Sequence, residues 1–141
     1  MRSMISKAGL GLLCLFAAPA SVFAAEGTYM CAFTDAFECV DVKGCERVTL
    51  EFVNLPPVLK IKFGDKKAVI TSDDLGREPR EVEVEHIVEK GDIVLLHGIG
   101  ENEVSPRSFS AAISTKTGKI HAGISTGDAV LSLVGDCVDG L

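Results

Sequence analysis

Tryptophan is absent from this 141-residue chain, and tyrosine occurs once, as Tyr29. A core with few large aromatics must be filled mainly by aliphatic side chains and held by other means as well. Cations are scarce: 14 Lys and Arg stand against 20 Asp and Glu. That balance excludes a phosphate-backbone binder, which needs clustered Lys and Arg to displace counterions. Beyond the first two dozen residues no apolar run approaches the ~18 residues of a membrane helix, so no membrane insertion is expected. No C-x2-C pair is present, and C-x7-C-x5-C is not a zinc-ligand spacing. No segment keeps a helical period over three turns.

Present instead is an export signal. Arg2 and Lys7 form a basic start, residues 8–20 are largely apolar, and Val22-Phe23-Ala24 fits a small-x-small cleavage site. Residues 1–24 therefore read as a signal peptide that is removed, and 25–141 as a single β-domain. Loss of Arg2 and Lys7 takes the formal charge from −6 to −8, which draws the protein toward basic partners. The expected location is periplasmic or secreted.

Cysteine usage agrees. Cys14 leaves with the signal, and Cys31, Cys39, Cys45 and Cys137 remain, an even number suited to an oxidising compartment. Of three connectivities, the spacing favours Cys39–Cys45 closing a tight loop and Cys31–Cys137 tying the first strand to the last. Cys31–Cys45 with Cys39–Cys137 is the alternative.

The body of the chain alternates with period two, the mark of half-buried strands. Strands are expected at 27–34, 45–53, 59–63, 68–70, 81–88, 93–97, 108–114, 119–125 and from 129 to Cys137. Loops are expected at 35–44, 72–80 and 98–107, with proline stopping the second strand at Pro56-Pro57. In the second strand Val48, Leu50 and Phe52 share the inner face. In the fifth, Val82, Val84, His86 and Val88 point inward and Glu81, Glu83 and Glu85 outward. The fold class is all-β: a small antiparallel barrel or sandwich of about eight strands, stapled by disulfides, its interior filled by Val, Ile, Leu and Ala.

Motifs for chemistry are weak. Gly123-Ile124-Ser125-Thr126-Gly127 matches the G-x-S-x-G elbow, but a hairpin follows it and no histidine lies beyond Ser125. Lys116-Thr117-Gly118 matches K-T-G, yet no S-x-x-K nucleophile accompanies it. The Gly-Asp pairs are turns, without the alternating oxygen ligands of a calcium loop. His86, His97 and His121 show no converging pattern, so no metal and no cofactor is expected. His86, among valines on an inner face, is the candidate ligand-binding group. The Glu81, Glu83, Glu85 column is the candidate docking surface for a cationic partner.

Tyr29-x-Cys31 near the mature start, the all-β pattern and the terminal Cys137 resemble the small periplasmic inhibitors of C-type lysozyme. That resemblance implies an antiparallel barrel with its first and last strands disulfide-linked, blocking a basic enzyme. It covers only the two ends of the chain, and the family's Ser-Gly-x-x-Tyr loop motif is missing, so no inhibitory residue transfers. The Cys31, Cys39, Cys45 cluster with a terminal Gly-Asp-Cys looks similar to uncharacterised small exported proteins of Gram-negative bacteria, which implies fold and location alone. The reading is a non-enzymatic exported binding module for a protein or small ligand, an inhibitor of a basic envelope-active hydrolase being one form. The alternatives are an envelope structural or stress-related protein without a pocket and a serine hydrolase using Ser125.

Overall fold

A computed structural model describes residues 27–64, 67–72, 80–101 and 106–140. The signal peptide, most of the 72–80 loop and residues 102–105 of the 98–107 loop lie outside the described residues. All regular structure among the described residues is β. The strands are β1 (Gly27–Val40), β2 (Gly44–Val48), β3 (Val58–Gly64), β4 (Lys67–Ser72) and β5 (Arg80–Val84). Then follow β6 (His86–Lys90), β7 (Ile93–Glu101), β8 (Pro106–Ser114), β9 (Lys119–Ser125) and β10 (Ala129–Gly140). Every neighbouring pair is antiparallel, in the order β5-β4-β3-β1-β10-β9-β8-β7-β6, with β2 added to β1.

This is a nearly closed barrel. β5 and β6 form one bent stave interrupted at Glu85, whose amide donates to the His97 carbonyl at 3.0 Å. Through that bend β5, paired with β4 on one side, meets the far half of β7 on the other. The approach is close: a Cβ added at Gly98 would lie 2.9 Å from the Glu83 carbonyl oxygen and 2.6 Å from Phe109 Cζ. Glycine at 98 thus gives room both for closure and for the Phe109 ring.

Ten strands form where about eight were expected; beyond the nine alternating runs named above, one is added by a split, and the cysteine region is rearranged. The bend at Glu85 splits one alternating run into β5 and β6. The cysteine region, expected as a loop over 35–44, is instead a hairpin: β1 continues to Val40 and β2 returns beside it. A register shift between Phe33 and Asp35 makes this possible. It inserts one residue, so the buried positions pass from Cys31 and Phe33 to Ala36. Opposite the shift Gly135 has no alternative, because a Cβ there would fall 2.2 Å from the Ala32 carbonyl oxygen.

The expected strand over 45–53 ends at Val48. Beyond it the chain coils into a turn, with the Leu55 amide bonded to Leu50 O at 2.9 Å and the Asn54 amide to Glu51 O at 3.0 Å. Asn54 takes the left-handed conformation, φ 54°. Leu50 and Leu55 pack against the core, but Phe52, expected inside, is 72% exposed. Local bonding within the turn has overridden the alternating pattern.

Both disulfides join residues directly opposite in register, Cys31 to Cys137 and Cys39 to Cys45. They place the protein in an oxidising compartment outside the cytoplasm. Cys31 and Cys137 sit in one continuous core with Ile61, Leu96, Ile113, Ile120 and Leu133, each of those aliphatic side chains 1–2% exposed. Burial of each such side chain contributes about 1.5–3 kcal/mol. Near the Gly27 end of the barrel, Tyr29 closes the interior edge-on against Phe63, ring centroids 5.6 Å apart.

That site makes the single tyrosine a reporter of packing. Burial raises the Tyr29 pKa first, and the charges of Asp139 and Glu89 raise it further. A tyrosine whose folded pKa exceeds the unfolded value adds stability that is complete below about pH 10 and is lost as pH rises through the folded pKa. Ultraviolet titration of the native protein should therefore give a tyrosinate midpoint above that of the urea-unfolded chain. Asp139→Asn should lower it part of the way. A native midpoint at or below the unfolded one would contradict the packed position of the ring.

Candidate functional site

The interior, expected to be filled, is packed around Ile61, Leu96, Ile113, Ile120 and Leu133 but not throughout. The end where β8 begins and β7 ends holds a cavity of about 440 Å³. Its origin lies in side-chain size at inward positions. On β7 the buried series Val94, Leu96 continues into Gly98, whose space the Phe109 ring takes, and then into Gly100, which borders the cavity without a side chain. On β8 and β9 the inward residues Ala111 and Ala122 are equally short. Phe33, Leu59, Ile61, Ile70, Phe109 and Leu133 supply an apolar wall, and the turn carrying Asn54, Leu55 and Pro56 borders one side. The volume falls in the range of small-molecule sites, about 300–1,000 Å³.

Among the described residues three polar side chains reach this space: Asn54, Glu81 and Arg107. Arg107 sits on β8 opposite Gly100, so the strand next to it leaves space beside its stem. Its Nε is buried and, among the described residues, has no hydrogen-bond partner. Guanidinium remains charged at any ordinary pH and carries five donors, so an unsatisfied N–H beside an apolar cavity is costly. It is also a ready donor for an incoming anion, with the fork geometry that suits a carboxylate. Glu81 is exposed at the same end and faces Thr71 across the strand pair.

Sequence reasoning placed other residues here. His86 does not point into the barrel: it is exposed on the outer face, and Val88, also expected inside, is 53% exposed. The break at Glu85 is the cause. A one-residue slip reverses the faces, so Val84 is inward before it and Ile87 after it. Arg107 and the two glycines were missed because 98–107 reads as a loop, whereas β7 runs to Glu101 and β8 starts at Pro106. The available signal was Gly98-x-Gly100, which continues the period-two series of Val94 and Leu96.

The three histidines, expected not to converge, lie along one outer trough crossing β6 to β10. Small residues form its floor: Ser110, Ala112, Gly123 and Ser132. His86 and His97 are direct cross-strand partners, and His121 lies farther along, beyond Ala112. Glu81, Glu83 and Glu85 remain an exposed column. Ser125 ends β9 with Ser108 and Val130 as its cross-strand neighbours, neither of them an acid or a base. Among the described residues no group of three His, Cys, Asp or Glu side chains is arranged to hold a metal ion. Comparison of the chain with protein-family models, with curated proteins and with solved structures finds no match, so the reading of this barrel rests on its own residues.

Proposed function

We propose that this protein is an exported, non-enzymatic binding module that takes an amphipathic monoanion into the cavity at the end of its barrel where β7 ends and β8 begins. An apolar body would occupy the cavity beside Gly100, Ala111 and Ala122, and a carboxylate or similar head would meet Arg107. The observation that carries this reading is the unsatisfied Arg107 Nε beside a largely apolar space of about 440 Å³. A merely vestigial gap would be expected to lack such a donor, because a buried N–H without a partner is destabilising. The signal-like segment at residues 1–24 and the two disulfides support a periplasmic or secreted setting.

The test is titration of the oxidised mature protein with dodecanoate, dodecanol and dodecylammonium, below their aggregation concentrations, by displacement of a fluorescent fatty acid. Dodecanoate should bind saturably at one site. Dodecanol should bind about 10–150-fold more weakly, the equivalent of the 1.5–3 kcal/mol of a hydrogen bond to a charged group. Dodecylammonium should bind weakest. Equal affinity for all three, or saturable binding of none, would end the proposal.

A further inference from the structure

The outer trough is separated from the cavity by the sheet itself, and its histidines have no part in the reading above. His86 and His97 are fixed opposite each other by backbone pairing of β6 with β7. Their rings lie with centroids 6.2 Å apart and planes only 16° from parallel. Directly opposed residues in an antiparallel pair hold their Cβ atoms about 4.5–5.5 Å apart. A metal–nitrogen bond is about 2.1 Å, so two imidazoles sharing one ion have their ring centres at most about 6.5 Å apart. The observed separation lies inside that limit, which belongs to a collinear arrangement; the rings stand stacked, so binding requires that their side chains rotate until one nitrogen of each faces the same ion.

The support around the pair is rigid on one side and open on the other. His97 belongs to an interior stave, paired with both β6 and β8, and its carbonyl also accepts the Glu85 amide. Both rings are exposed, and among the described residues no hydrogen bond commits either ring to a protein group. Ser110 stands opposite His97 on the next strand and gives the floor a hydroxyl rather than a bulky side chain. Neutral imidazole is the commonest protein ligand for zinc, copper and nickel, and its free ring nitrogen is the donor. Backbone that already sets the spacing lowers the ordering cost of chelation.

We propose that His86 and His97 form a bis-imidazole site for one divalent transition-metal ion on the outer face of the barrel, with solvent completing the coordination. The kink at Glu85 creates the site, since without it His86 would face the interior. His121, in the same trough but with Ser110, Ala112 and Gly123 between it and the pair, is not a ligand and serves as the internal control.

The experiment is titration of the oxidised mature protein with zinc chloride in a non-chelating buffer. Calorimetry reads the binding, and the three imidazole resonances are followed by NMR. One zinc ion per chain is expected, with two of the three histidine resonances shifting. Binding should be lost in His86→Gln and in His97→Gln, and unchanged in His121→Gln. Absence of binding at millimolar zinc overturns the site, as does binding that survives either pair substitution. Loss of binding in His121→Gln would overturn the two-residue assignment. The resonance pattern of the unsubstituted protein decides the matter even if a variant folds poorly.

Discussion

Replacing Cys31 and Cys137 together by alanine should destabilise the protein by about 4–5 kcal/mol, against about 2 kcal/mol for the Cys39, Cys45 double replacement. The difference follows from the loops that each bond closes in the unfolded chain, with sequence separations of 106 and 6. Loop-closure entropy rises with the logarithm of loop length, so the long bond removes far more freedom from the unfolded ensemble. Position in the fold adds to the contrast. Cys31 and Cys137 join β1 to β10, the neighbours through which the chain's first and last strands complete the barrel wall, and both are buried in the core. Cys39 and Cys45 tie only the β1–β2 hairpin, which lies off the barrel path. A domain of this size has about 5–15 kcal/mol in total, so the first change consumes much of it. Urea melts of the two double variants measure this directly. Equal losses, or a larger loss from the hairpin pair, would show that neither loop length nor barrel closure governs the effect.

The alternating runs that became β3, β8 and β9 were legible because their two faces meet different environments. Ile61 and Phe63 are buried while Lys60 and Lys62 are wet, and Ile113 and Ile120 are buried while Ser110 and His121 are exposed. The pairing of Cys31 with Cys137 was legible for a related reason, since a barrel's end strands meet. What the pattern concealed were single-residue irregularities. Nothing in Glu83-Val84-Glu85-His86 marks a bend, yet one extra residue there turns His86 and Val88 outward. The insertion between Phe33 and Asp35 is equally silent, and it carries β1 through a cysteine cluster that resembles a loop. Glycine misled in the opposite direction. Gly98 and Gly100 suggested flexibility, but they are strand residues: the first makes room for Phe109 and for the approach of β5, and the second borders the cavity. Bulges and interior glycines depend on contacts between strands distant in sequence, such as Gly98 with Phe109 and Gly135 with Ala32, and so leave little local trace.

Arg107→Met should weaken dodecanoate binding by about 10–150-fold, while leaving dodecanol within about threefold of its original affinity. Methionine nearly matches the length and apolar stem of arginine and removes only the guanidinium. The same substitution should leave the unliganded protein as stable as before or more so, because a buried N–H without a partner costs about 1–3 kcal/mol. Partial solvent access to the Arg107 side chain places the gain at the low end. Opposite signs in the two measurements are the signature of a group retained for binding rather than for folding. Arg107→Lys separates charge from geometry: it keeps the cation but loses the planar fork, so its affinity should fall between the other two. Thermal melts with and without dodecanoate provide both quantities in one series, since a ligand that binds only the native state raises the midpoint with its concentration. If Arg107→Met lowered the stability of the free protein and left the discrimination between acid and alcohol intact, the arginine would be a structural element of the β7–β8 end. The cavity would then have to select its ligand by shape alone.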